Sequence, residues 1–155
     1  MKVLFSYRLA DHDSDATISD GVNEARMHVW HVTDALGDLL RCVVQVLEGH
    51  EEVWCVWEDE PGEHKWTFHC TGDLLQISIL RFPTSFSGYG APDAWATVLF
   101  ETTCALLKFA TKVRNEVRRL VREVGPEEYR RRLGHEFPQA SYQRLRQLIH
   151  QRQVP

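Results

Sequence analysis

A chain of 155 residues with 43% hydrophobic and 26% charged side chains carries enough apolar material for one packed core, which excludes a disordered, collagenous or purely coiled-coil polypeptide. No apolar run approaches the ~18 to 20 residues that cross a bilayer, and Val3-Leu4-Phe5 gives way to Ser6, Tyr7 and Arg8 too soon for a leader peptide, so the sequence predicts a cytoplasmic protein with no membrane partner. The net charge of −4 conceals a division: residues 1–103 hold 6 basic and 17 acidic side chains, a balance of −11, whereas residues 104–155 hold 12 and 5, a balance of +7.

Residues 2–9 alternate weakly and carry Val3, Phe5 and Tyr7, the pattern of a strand. Asp11-His12-Asp13-Ser14-Asp15 reads as a solvated loop, and residues 24–32 as a second extended segment. At Thr33-Asp34 the period changes. A capping side chain precedes Leu36, Leu39, Leu40, Val43, Val44 and Leu47, whose spacings of three and four predict an amphipathic helix that ends near Gly49. Residues 53–57 and 66–70 are β-rich runs on either side of Glu60-Pro61-Gly62-Glu63, where proline presets a turn and glycine accepts positive φ. They predict a hairpin with Trp66, Phe68 and Cys70 on its buried face.

Thr71-Gly72-Asp73 turns the chain into a further strand in which Leu75, Ile77 and Ile79 alternate with polar residues. Residues 83–92 form a longer loop before a strand at 95–102. Leu106, Phe109, Ala110, Val113, Val117, Leu120, Val121 and Val124 then mark one face of a five-turn helix that stops at Gly125-Pro126. Two short helices, at 127–133 and 141–151, close the chain. This order predicts a single α+β domain over residues 1–155. A sheet-forming region (1–103) would supply one antiparallel meander of five to six strands, and a helical region (104–155) would cover one of its faces with the long helix, assisted by the helix before the central hairpin.

Chemical signatures are few. The four cysteines, Cys42, Cys55, Cys70 and Cys104, include no Cys-x-x-Cys pair and sit in apolar segments, so they read as reduced core residues rather than zinc ligands or disulfides. His28 and His31, like His64 and His69, have a separation that sends strand residues to opposite faces. Asp11, Asp13 and Asp15 lack the glycine and glutamate of a calcium loop. There is no phosphate-binding glycine loop, no nucleophile elbow and no His-Glu-x-x-His helix. The expectation is a protein that is not an enzyme and uses no cofactor and no metal. The basic residues Lys108, Lys112, Arg114, Arg118, Arg119 and Arg122 read as a solvated helix face, because the acidic half would repel nucleic acid.

The acidic residues are more suggestive. Glu48, Glu51, Glu52, Glu58, Asp59, Glu60 and Glu63 fall within sixteen positions, interleaved with Trp54, Trp57 and Trp66. From these, Glu51, Glu52, Glu58, Asp59, Glu60 and Glu63 are predicted to contact a basic protein partner, since complementary fields speed encounter and give specificity. Alternatives are a small enzyme or ligand-binding domain with a pocket between sheet and helices, using His28, His69 or a carboxylate, and self-association of the acidic half with the basic helices of a second copy.

The stretch Trp57-Glu58-Asp59-Glu60-Pro61-Gly62-Glu63-His64-Lys65-Trp66, followed by Gly72-Asp73, Ile77-Ser78-Ile79-Leu80, Phe100-Glu101 and the long helix, resembles a family of small bacterial proteins of uncharacterised role over residues 34–145. Such standalone α+β proteins also look like the immunity proteins of bacterial toxin systems. That resemblance implies a cytoplasmic protein that binds and neutralises a cognate toxin.

Overall fold

The computed structural model describes residues 2–59, 61–84 and 90–154; Glu60 of the expected turn and residues 85–89 of the expected loop lie outside the described residues. Strands β1 (Leu4–Leu9), β2 (Asp13–Ser19) and β3 (Glu24–Trp30) form an antiparallel sheet in the order β1-β2-β3. Alternation buries Phe5, Tyr7, Ser14, Ala16, Ile18, Ala25, Met27 and Val29 on its inner face. The stretch expected to be an acidic loop is thus partly a strand. Asp13 and Asp15 are the wet face of β2, and Ser14 belongs to its buried face, donating its hydroxyl to Tyr7 Oη at 2.7 Å. Burying a small polar residue hides the period from a reading that looks for large apolar side chains.

Helix α1 (Ala35–Leu47) follows, with Asp34 at its N-cap and Gly49 at φ 104 just beyond its C-terminal end. Strands β4 (Glu52–Asp59), β5 (Gly62–Thr71), β6 (Leu74–Phe82) and β7 (Thr97–Ala105) then make a second antiparallel sheet in sequential order. Helices α2 (Leu106–Glu123), α3 (Pro126–Leu133) and α4 (Gln139–Gln153) complete the fold.

The α+β class and the antiparallel pairing agree with the sequence; the expected single sheet of five to six strands does not. Among the described residues there are two sheets, of three and four strands, separated in sequence by α1. Packing explains the split. The inner face of the first sheet meets the aromatic residues of the second edge-on, with ring centroids 6.2 Å apart for Phe5 and Trp66 and 6.0 Å for Tyr7 and Trp57. Helix α2 does more than cover one sheet. Phe109 contacts both Phe5 and Phe68, at 6.4 and 6.0 Å, so the helix closes the seam where the sheets meet. Helix α1 packs on β4 and on α4. A single hydrophobic cluster runs through both sheets and all of these helices.

The glycine of the β4–β5 turn serves a different purpose from the one expected. Gly62 is not among the glycines with positive φ. A Cβ placed on it would run into the carbonyl oxygen of Phe82 and the guanidinium of Arg81, so the residue is small because β6 passes close by. Gly62→Ala is expected to lower stability by about 2 kcal/mol through overpacking against backbone, read as a lower urea midpoint with an unchanged slope.

Candidate functional site

The outer face of the second sheet is built by the same alternation that fills the core. Across β4 and β5 the register pairs Glu52 with His69, Trp54 with Thr67, Val56 with Lys65 and Glu58 with Glu63. Across β5 and β6 it pairs Lys65 with Leu80, Thr67 with Ser78 and His69 with Gln76. All of these point away from the core, which takes Val53, Cys55, Trp57, Trp66 and Phe68. One end of this outer face is covered: Val56, Glu58, Glu63, Leu80 and Phe82 are buried. The other end is open.

The boundary between the two ends is set by a long-range contact. After β6 the chain returns through a 3₁₀ turn at Asp93–Trp95, where Asp93 Oδ1 accepts a hydrogen bond from Lys65 Nζ at 3.0 Å. The same ammonium lies 4.8 Å from the centroid of the Trp54 ring. His69 Nδ1 stands 3.1 Å from Glu52 Oε1 on the next rung. Trp54, Lys65, Thr67, His69, Gln76 and Asp93 help line a shallow cavity of about 330 Å³. Trp54 is 44% exposed and Trp95 73%. A bulge in β7 opposite Ile79 and Leu80 leaves Val98 and Leu99 exposed on this edge strand.

The six acidic residues expected to bind a partner do not form one patch. Glu51 and Glu52 are exposed at the start of β4, and Glu52 lies on the open end of the sheet face. Asp59 is half-buried on the core side, 3.8 Å from Arg81; burial raises its carboxyl, opposed by Arg81 and then by His28. Glu58 and Glu63 sit directly opposite each other and are only 3% and 0% exposed, which removes both from any docking surface. The expectation took the hairpin tip as solvated. In fact the ladder runs on to the pair Asp59 and Gly62, and the outer face is covered at that end. Glu60 lies outside the described residues.

The histidines considered for a pocket do not converge. His69 is on the outer face of the second sheet. His28 is on the outer face of the first, with Nε2 3.0 Å from Asp13 and Nδ1 3.1 Å from Asp15; the hydrogen bond to Asp15, more than the neighbouring charges, holds its pKa above the usual value. Between sheets and helices the space is filled by packed side chains, including Leu36, Leu40, Trp66 and Phe109. Among the described residues no three His, Cys, Asp or Glu side chains are grouped to hold a metal, and no helix is long and apolar enough to cross a membrane.

Trp54, grouped above with Trp57 and Trp66, differs from them in facing outward, and the signal that separates it is the opposite parity of Val53, Cys55 and Trp57. Asp93, Trp95 and Leu99 carried no such signal. Neither a family model, nor a curated protein, nor a solved structure matches this chain.

Proposed function

We propose that the protein is a non-enzymatic binding protein that seats a basic protein partner on the open end of the second sheet, as an immunity protein does with the toxin it silences. The observation that carries this reading is the exposed indole of Trp54 in the lining of the shallow cavity, together with the exposed Trp95 of the turn whose Asp93 lines the same cavity. Exposed tryptophan is costly in water and is the residue type most enriched at interface hot spots. Glu51, Glu52, Asp93 and Glu101 lie on or beside this face, whereas its lysine, Lys65, is already held by Asp93. The surplus is negative, which fits a basic partner and steers its approach.

The test is co-expression with the product of a neighbouring gene that arrests growth. A copurifying stoichiometric pair and restored growth are expected, and Trp54→Ala or Trp95→Ala should each weaken the complex on the order of 30-fold, or about 2 kcal/mol. Absence of both copurification and relief of arrest would sink the reading. So would full affinity in the double variant.

A further inference from the structure

Helix α2 rests on the core side of the second sheet, through Phe109 against Phe68, so its outward residues face away from Trp54. There, Arg114 and Arg118 of α2 and Gln143, Arg146, Gln147 and His150 of α4 line an open groove of about 600 Å³. Gln153 joins it to a second groove of similar volume edged by Lys2, Lys108 and Lys112. Among the described residues, no carboxylate lines either groove.

That lack is local to the grooves. Arg119 of α2, Arg130, Arg131 and Arg132 of α3, and Arg144 and Arg152 of α4 each have a carboxylate oxygen within 3.7 Å. Among the described residues, Arg114 and Arg118 reach only the side-chain oxygen of Asn115, and Arg146 lies over the Tyr142 ring at 5.5 Å. The spacing of the cations makes this costly. Lys108 and Lys112 are four apart on α2, as are Arg114, Arg118 and Arg122, and like charges at that separation repel along a helix. An anion laid along the groove removes the repulsion.

We propose that the α2–α4 groove is a second docking surface, opposite in sign to the open sheet face and independent of it, and that it takes an acidic, glutamate- or aspartate-rich segment of a protein partner. A single-stranded nucleic acid fits less well. The phenol ring of the groove, Tyr142, is buried and covered by Arg146, which leaves the single imidazole of His150 as a platform for base stacking, and the acidic half of the chain repels a long polyanion. Many surface carboxylates of a second copy are engaged, Asp13 and Asp15 by His28, Glu24 by Arg26, Glu48 by Arg144 and Asp73 by Arg152, but its open sheet face keeps a negative surplus, so self-association is the rival outcome that sedimentation velocity reads.

The experiment is fluorescence anisotropy of the full chain with a labelled helical peptide bearing glutamates on one face, with an oligothymidylate of equal length as comparison and sedimentation velocity for self-association. Peptide binding is expected to weaken from about 50 to about 300 mM salt. It should fall at least about tenfold in Arg114→Glu/Arg118→Glu/Arg146→Glu, fall less in the triple glutamine variant, and stay unchanged in Arg26→Glu on the first sheet. Circular dichroism confirms that each variant is folded, and the glutamine variant keeps the test readable should the reversed one misfold. The proposal is overturned if the peptide does not bind, if it binds the variants as well as the native chain, or if the oligothymidylate binds more tightly than the peptide. It is equally overturned if the chain dimerises and the charge reversal dissolves the dimer.

Discussion

Glu116→Ala is expected to destabilise the protein by about 3 kcal/mol, seen as a fall of roughly 6 to 12 °C in the thermal midpoint. Glu116 is buried on α2, yet its business is with β1. Its Oε2 accepts the backbone N–H of Tyr7 at 2.8 Å, its Oε1 accepts Arg119 Nε at 2.5 Å, and Arg119 in turn donates to the Tyr7 carbonyl at 2.8 Å. β1 is an edge strand, and this ion pair supplies the donor and the acceptor that a neighbouring strand would otherwise provide. Removing the carboxylate strands two groups at once: a buried amide with no acceptor, and a largely covered guanidinium left with Glu123 alone on its carboxylate side, at 2.6 Å. Glu116→Gln, which can still accept the amide, should lose about half as much. A loss below about 1 kcal/mol for the alanine variant would show that the pair does not tie α2 to the first sheet.

The second large effect is a loss of stability in mild acid, caused by one histidine. His64 lies on the core side of β5, opposite Trp57, and is 4% exposed; its Nδ1 has no hydrogen-bond partner among the described residues. Burial, and then the charge of Arg81, push its pKa down from 6.5 to about 4. Between these values the unfolded chain takes up a proton that the folded chain refuses, so stability is complete above about pH 6.5 and falls as the pH drops toward 4. At 1.36 kcal/mol per unit the loss approaches about 3 kcal/mol. His28, raised by Asp15, acts in a different window: its contribution is present below pH 6.5 and fades as the pH climbs through its higher folded value. Asp34, Asp38 and Asp59, raised by burial, slope against His64 in acid, so the informative quantity is a difference. Unfolding free energies of the native chain and His64→Leu, followed from pH 7 to 4, should diverge steadily, with the variant favoured in acid. Parallel curves would mean that His64 takes up its proton as readily in the fold as in the unfolded chain.

Much of the architecture was legible because a period describes the faces of the element that carries it. The leucines and valines of α1, the alternation of Trp66 and Phe68 in β5, and the apolar row of α2 each announce a helix or strand and say which side is dry. The same parity turned Trp54 outward. Where the period is masked by a small polar residue, as at Ser14 between Asp13 and Asp15, the strand passed for a loop.

What lies against each face was decided elsewhere in the chain. Glu58 and Glu63 look like hairpin-tip charges, and only the covered end of the sheet face puts them inside. Trp54 is framed by Lys65 from the next strand and Asp93 from a turn far along the sequence. The division into two sheets depends on Phe5 and Tyr7 finding Trp66 and Trp57. Sequence by itself determined the α+β class, most of the strands and helices, and a chain divided into an acidic and a basic part. Tertiary structure alone decided which carboxylates meet water and which cations are left unmatched, because desolvation and pairing belong to neighbours in space, and a local pattern of residues does not encode who those neighbours are.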